Sequence, residues 1–350
     1  MVRVDIVGDS LRGPALIAAA GIAAIAALTA TPAARAAPAE RLDGFNIVAV
    51  PGHPFGSASA RRSLAAARRL GANTVAIIPF LWQASPTSAA IDRGSDMPDA
   101  ALRTAVREAH AVGLKVVIKP HVWVPERWAG TVAPPTEEGW RRWFAGYRAA
   151  LDRIVRIAAE EKVEALVVGT ELSKTIARAE WIDVIAGVRS AFPGSVLYVA
   201  HDLAEAEAVP FWDGLDAIGV SLYPPLGADA DRAGNLAAMH AAAARLDALA
   251  SRHGKPVIVA EVGLRSAAGA TARPWESAEE RAAQADPVLQ AQVLADWLTV
   301  LDRPPVRGVL VWRWFTDPDA GGAGDTDFTV QGKPAEGVLL CVWTGGCGKR

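Results

Sequence analysis

The sequence predicts one α/β domain, a single (β/α)8 TIM barrel preceded by an N-terminal export segment. Three observations carry the prediction. Eight short apolar runs alternate with amphipathic stretches between residues 42 and 340, the rhythm of βα units and a parallel sheet. The runs are nearly continuous in apolar residues, as strands covered on both faces are. Polar residues gather where the runs end, whereas their starts carry little beyond Lys and Asp. An open doubly wound sheet is the alternative, but it wants a glycine-rich phosphate turn after the first strand, and Val50-Pro51-Gly52-His53-Pro54 is not one.

Residues 1–36 differ from the rest. Arg3 and Arg12 precede an apolar run over 14–30, and Ala34-Arg35-Ala36 offers a small-residue cleavage site before Ala37. That is the layout of a secretory signal. Asp5 and Asp9 offset the arginines and the run is long, so a retained membrane anchor is the alternative. Either places the protein outside the cytoplasm, periplasmic or extracellular. No later segment approaches a membrane span.

The strands are expected at 44–50, 73–80, 114–121, 164–170, 195–200, 216–223, 255–260 and 306–312. Helices are expected at 59–70, 98–112, 136–161, 181–192, 235–253 and 287–301. Gly71, Gly113 and Gly254 end three of them. Thr136-Glu137-Glu138-Gly139 opens the longest, with acids where the helix dipole favours them. The tail, 341–350, holds the only cysteines, Cys341 and Cys347. In an exported protein so close a pair forms a small disulfide loop; two thiols in a loose tail is the other reading.

The formal net charge of −2 and the even spread of charge exclude an electrostatic surface for nucleic acid. His53, His121, His201 and Asp202 show no HExxH or CxxC spacing, so no metal site is expected. No GxSxG turn supports a serine nucleophile.

The strand ends carry His121, Glu171, His201 with Asp202, Tyr223, Glu261, and Trp312 with Arg313. In a barrel that end is the active-site face. Alternation puts Val257, Val259 and Glu261 in one inward row, Val117, Lys119 and His121 in another, and Val167 and Gly169 below Glu171. Two glutamates ending the fourth and seventh strands suit glycosidic bond cleavage, one attacking the anomeric carbon and one protonating the leaving oxygen. The attacking group must stay ionised, with Tyr223 or His121 as candidate donors. Trp312 is the expected sugar platform, with Trp314 a rival on the same face. Trp82, Trp123 and Trp128, in loops over the mouth, are placed to stack on neighbouring sugars. Trp140, Trp143, Trp181 and Trp297, within helices, read as core.

Several blocks make the reading specific. They are Lys119-Pro120-His121, Val168-Gly169-Thr170-Glu171-Leu172, Ile218-Gly219-Val220 running to Tyr223-Pro224, and Lys255-Pro256-Val257 running to Glu261-Val262-Gly263 with Arg265-Ser266. Pro274-Trp275, Trp312 with Trp314, Asp325-Thr326-Asp327-Phe328 and Gly332-Lys333-Pro334-Ala335 follow. In this order the chain resembles the clan-A retaining glycoside hydrolases, and among them the family 113 β-mannanases, over roughly residues 42 to 340. Thr170 before the glutamate, where most of the clan has Asn, matches that family. The resemblance implies Glu171 as acid/base and Glu261 as nucleophile, with no cofactor. It also implies a polysaccharide or oligosaccharide substrate, no protein partner, and a monomer. Ser221-Leu222-Tyr223-Pro224-Pro225 and His201-Asp202 depart from the family pattern at positions facing the sugar. Another β-glucan or an envelope polysaccharide is therefore the alternative substrate, and a non-catalytic glycan-binding barrel the alternative class.

Overall fold

Eight parallel strands close on themselves: β1 (Leu42–Val48), β2 (Thr74–Ile77), β3 (Lys115–Ile118), β4 (Ala165–Thr170), β5 (Ser195–Ala200), β6 (Ala217–Ser221), β7 (Val257–Val262) and β8 (Val306–Phe315). Each pairs with its sequence neighbours, and β8 returns to β1. A helix follows every strand: α1 (Ala58–Arg69), α2 (Asp99–Ala111), α3 (Glu137–Glu160), α4 (Glu180–Ala191), α5 (Leu203–Ala208), α6 (Arg232–His253), α7 (Pro287–Val300) and α8 (Pro334–Thr344). This computed structural model describes residues 40–346. The expected signal or anchor over 1–36 and Cys347 lie outside the described residues.

Local chemistry sets the ends of these elements. Thr136 caps α3 by accepting the Gly139 N–H at 3.0 Å. Asp231 and Asp286 cap α6 and α7 in the same way. Gly254 closes α6 with φ of 62°, a left-handed residue that glycine adopts without a side-chain clash.

Two cores result. Outside the barrel, the helices pack Trp143, Trp181, Trp297 and their aliphatic neighbours against the outward strand face. Trp140 is partly buried at the edge of that layer, under the Arg178 guanidinium. Inside, small and branched residues fill the bore: Leu42, Ala76, Val117, Ala165, Val167, Leu197, Val199, Ala217, Ile258, Ala260 and Leu310. They form layers of the kind that fill barrels of this size.

The bore corrects one expectation. Val257 and Val259 face the helices, and Ile258 and Ala260 face inward. The register of β7 shifts against both neighbours beyond Val259. Such a bulge admits an extra residue and re-aims the next side chain. Glu261 reaches the mouth because the alternation breaks. β4 does the same. Val167 points inward, but its pairing with β5 shifts before Thr170. A Cβ on Gly169 would lie 2.6 Å from the Trp181 ring and 2.9 Å from that of Tyr198, so its open side faces the helices.

Other differences are local. Residues 80–82, 92–93 and 121–123 form a small three-stranded sheet, so Trp82 and Trp123 stand on strands rather than in loops. Leucine, valine and aromatic residues after the second and third barrel strands give these segments partners beside the mouth. The expected tail boundary at 341 falls inside α8, because the apolar stretch 338–343 continues the helix past it. Cys341 is disulfide-bonded, and Cys347 is the only other cysteine in the sequence.

Gly169→Ala should overpack the space under the Trp181 and Tyr198 rings, at a cost of about 1–3 kcal/mol. Thermal unfolding should show a Tm several degrees lower. An unchanged Tm would mean that the rings do not close over this glycine.

Candidate active site

Two carboxylates share a cleft of about 550 Å³ at the carboxyl ends of the strands. Its walls include His121, Trp123, Trp128, His201, Tyr223, Trp275 and Trp312. Of the residues named from sequence, Glu171, Glu261, His121, Trp123, His201, Tyr223 and Trp312 come together there. Trp82 does not line the cleft but packs beside it, its ring 5.9 Å from that of Trp123. Asp202 departs from expectation. Its carboxylate caps α5, accepting the Glu205 N–H at 2.7 Å, and it borders a neighbouring side cavity instead. An aspartate immediately before a helix satisfies a backbone donor that would otherwise lack a partner.

Glu261 is held by two side-chain partners, a lysine and a tyrosine. The Lys119 ammonium, buried in the bore, forms an ion pair with its Oε1. The Tyr223 hydroxyl donates to Oε2 at 3.2 Å. Burial, and then the Glu261 charge, push the Tyr223 phenol well above its ordinary pKa, so it stays a donor. Lys119 also stands 5.4 Å from the centre of the Trp312 ring. Beneath the pair, Asn46 donates to the carbonyl of Ala260 at 2.9 Å, pinning β7 one residue before Glu261. A lysine in a buried strand row needs an anionic partner, so Lys119 and Glu261 fix one another.

Glu171 sits differently. Its φ of 55° is in the left-handed region, which costs a non-glycine residue about 1–3 kcal/mol and recurs at functional sites. Its N–H donates to Val199 at 2.8 Å. The preceding Thr170 donates its hydroxyl to the carbonyl of Pro120 at 2.9 Å, tying β4 to the segment between Lys119 and His121. Glu171 Oε2 accepts the Trp128 indole N–H at 2.9 Å and lies 3.1 Å from His201 Nδ1. Burial works against ionisation, but the His201 contact and charge outweigh it, and Glu171 is held well below the usual carboxylate range. His201 shifts the opposite way. Burial opposes its charge, yet the Glu171 carboxylate raises it above an ordinary imidazole. His121 is pushed down by burial, although both carboxylates pull it upward.

Sequence reasoning assigned Trp128 a stacking role and missed its hydrogen bond to Glu171. It placed Lys119 in an inward row above Val117 but did not give it Glu261 as a partner. Trp275, half exposed, stands at the junction of the main cleft and the side cavity. Its loop is fastened by the buried Arg265, which donates to the carbonyls of Ser277 and Arg281, each at 2.9 Å. The rivalry between Trp312 and Trp314 is resolved: Trp312 lines the cleft, while Trp314 turns outward, donates to Ser63 at 2.7 Å and packs on Phe45. Among the described residues, no three His, Cys, Asp or Glu side chains form a metal-binding group.

The family model of glycoside hydrolase family 113 matches residues 44–333. The chain belongs to glycoside hydrolase family 113. It is similar to a solved family 113 β-mannanase from Alicyclobacillus acidocaldarius in complex with ManMIm, at 27% identity and TM-score 0.78, covering 87% of this chain and 98% of that one. A family 113 β-1,4-mannanase complex gives 27% identity and TM-score 0.77, covering 87% and 99%. A β-glucuronidase from Ruminococcus gnavus, at 14% identity and TM-score 0.59, covers 87% of this chain and 50% of its own, and shares the fold alone. No curated protein matches the chain. As a family member, it is a glycoside hydrolase that acts on a carbohydrate.

Tyr223→Phe removes one donor from Glu261 without leaving a cavity and should lower kcat by about 10–100-fold while Tm stays nearly constant. Lys119→Met should cost about 100-fold or more in kcat, and stability as well, because Glu261 is left buried without its cation. Steady-state kinetics with a melting curve checks both; wild-type kcat in Lys119→Met would remove the ion pair from the account.

Proposed function

We propose that this protein is an exported, monomeric, retaining endo-β-mannanase that cleaves β-1,4-mannan by double displacement. The observation that carries the proposal is the unequal support of the two glutamates. Glu261, held by an ammonium and a phenol, suits a nucleophile that stays anionic. Glu171, held by an indole N–H and a titratable imidazole, suits a group that gains and loses a proton.

In the first step a Glu261 oxygen bonds to the anomeric carbon as the glycosidic bond breaks, and the Glu171 proton goes to the leaving oxygen. In the second, Glu171 takes a proton from water, the water oxygen bonds to the anomeric carbon, and the bond to Glu261 breaks. Trp312 offers an apolar floor under the reacting sugar, and Trp123 with Trp82 extends an aromatic ramp beside it. The β-mannanase neighbours support mannan. Export rests on the N-terminal segment, and the disulfide at Cys341 is in keeping with an oxidising compartment.

One observation favours a second substrate reading. His201, Asp202, Tyr223, Pro224 and Pro225, where the chain departs from the family pattern, border a side cavity of about 400 Å³ that opens beside the cleft. Room of that size suits a different or decorated β-linked glycan, including an envelope polysaccharide.

Glu261→Ala and Glu171→Gln should each lower mannan hydrolysis by about 10³-fold or more with the circular dichroism unchanged. Proton NMR of the first product should show the β anomer. Hydrolysis near the wild-type rate in either variant would overturn the assignment, and an initial α anomer would exclude retention. Product analysis on a panel of β-mannan, β-glucan and envelope glycans separates the two substrate readings.

A further inference from the structure

We propose that His201 is the positioning residue that holds Glu171's catalytic proton in the resting enzyme and takes it back at the end of each cycle. The inference rests on the acid/base reading of Glu171 above.

The geometry is specific. His201 Nδ1 lies 3.1 Å from Glu171 Oε2. The Trp128 indole packs on the His201 ring at a 46° tilt, with centroids 4.1 Å apart, and donates to the same carboxylate oxygen at 2.9 Å. The indole therefore fixes both partners of the pair. From below, the backbone N–H of His201 donates to Glu205 Oε2 at 3.1 Å. Glu205 is buried and accepts from the Tyr198 hydroxyl at 2.7 Å and from Ser173. The imidazole thus has a fixed backbone, an indole packed at a tilt on its face and one nitrogen at ion-pair distance from the carboxylate. Its side chain is 35% exposed, so it can exchange protons with water.

The surrounding charges favour a proton there. Glu171 faces the ring from β4, Asp202 stands beside it, and Glu205 faces it from α5. Arg245 of α6 lies across the side cavity and is engaged by Glu207 in two hydrogen bonds. Arg127 and Glu280 stand farther along the main cleft. His121, the other histidine near Glu171, is driven toward its neutral form by burial. Of the two imidazoles, His201 is the one placed to hold the proton.

The proton balance closes. At rest His201 is an imidazolium and Glu171 a carboxylate. A sugar that displaces water from the cleft disfavours this separation of charge, and the proton passes from Nδ1 to the Glu171 carboxyl. It then goes to the leaving oxygen as the glycosidic bond breaks. The proton that Glu171 takes from water in the second step returns to Nδ1. The ion pair exists only within a pH window. It is lost as pH falls through the lowered Glu171 value, and lost again as pH rises through the raised His201 value.

Two measurements test this. In the free protein with ¹⁵N-labelled histidine, one of the six imidazoles, assigned by its absence in His201→Asn, should titrate above an ordinary histidine. Its transition should fall by about one pH unit or more in Glu171→Gln. This readout needs no substrate, so it stands apart from the mannanase reading; an unchanged His201 titration in Glu171→Gln overturns the proposal. On the full enzyme, His201→Asn keeps an N–H donor and removes the titrating group. The alkaline limb of kcat/KM should then move about one unit to lower pH with the acid limb in place. A 2,4-dinitrophenyl glycoside, whose leaving group needs no proton, should lose that difference. An alkaline limb that coincides with wild type for the natural glycan overturns the proposal.

Discussion

A buried ammonium has no stable place in a barrel bore unless an anion meets it, and here Lys119 meets Glu261. Much of the site follows from that pairing. The carboxylate must reach inward and upward from β7, and it does so because the strand slips register after Val259. Asn46, itself buried in the bore, holds the carbonyl of Ala260 and keeps the slipped segment in place. Tyr223 then completes the shell of donors from the segment just beyond the neighbouring strand, β6. Core, bulge and charge are one arrangement: the small residues of the bore leave space at the top, and the ion pair fills it.

The second acid is built on the opposite plan. Glu171 rests on a left-handed backbone at the end of a strand that also loses register, and its neighbours are an indole and an imidazole instead of a fixed cation. A permanent ammonium keeps a carboxylate charged, whereas an imidazole lets the charge change near neutral pH. The difference between the two proposed roles lies in the partner each strand end meets. It also gives meaning to His201, which stands where the family pattern differs. The residue borders the side cavity and touches the proposed acid/base, so under the proposals above one departure would bear on both specificity and pH dependence.

Much of this was legible in the sequence. Continuous apolar runs such as 164–170 and 255–260 announced buried parallel strands, and glycines 71, 113 and 254 marked the helix ends. Both glutamates stood out because a run of valines and isoleucines ended on an acid. The orientation of β7 was not legible, because period-two alternation holds only for an unbroken ladder and a bulge leaves no mark in Val257-Ile258-Val259-Ala260-Glu261. The capping duty of Asp202 was obscured because α5 is a single short stretch, Leu203–Ala208, with too few residues to show a helical period. Trp128 illustrates the remaining limit. Its ring and its N–H serve different neighbours, and only the fold reveals that Glu171 and His201 are those neighbours. Asn46 carries no local signal, since its partner is 214 residues away.

The central claim is that Glu261, paired with Lys119, becomes covalently bound to sugar. Incubation with a 2-deoxy-2-fluoro-β-mannosyl fluoride should slow the second step enough to trap that species. Intact mass should then rise by one fluorosugar, with the label on the peptide containing Glu261. Label on another residue, or turnover of mannan that gives the α anomer without any trapped adduct, would contradict the account.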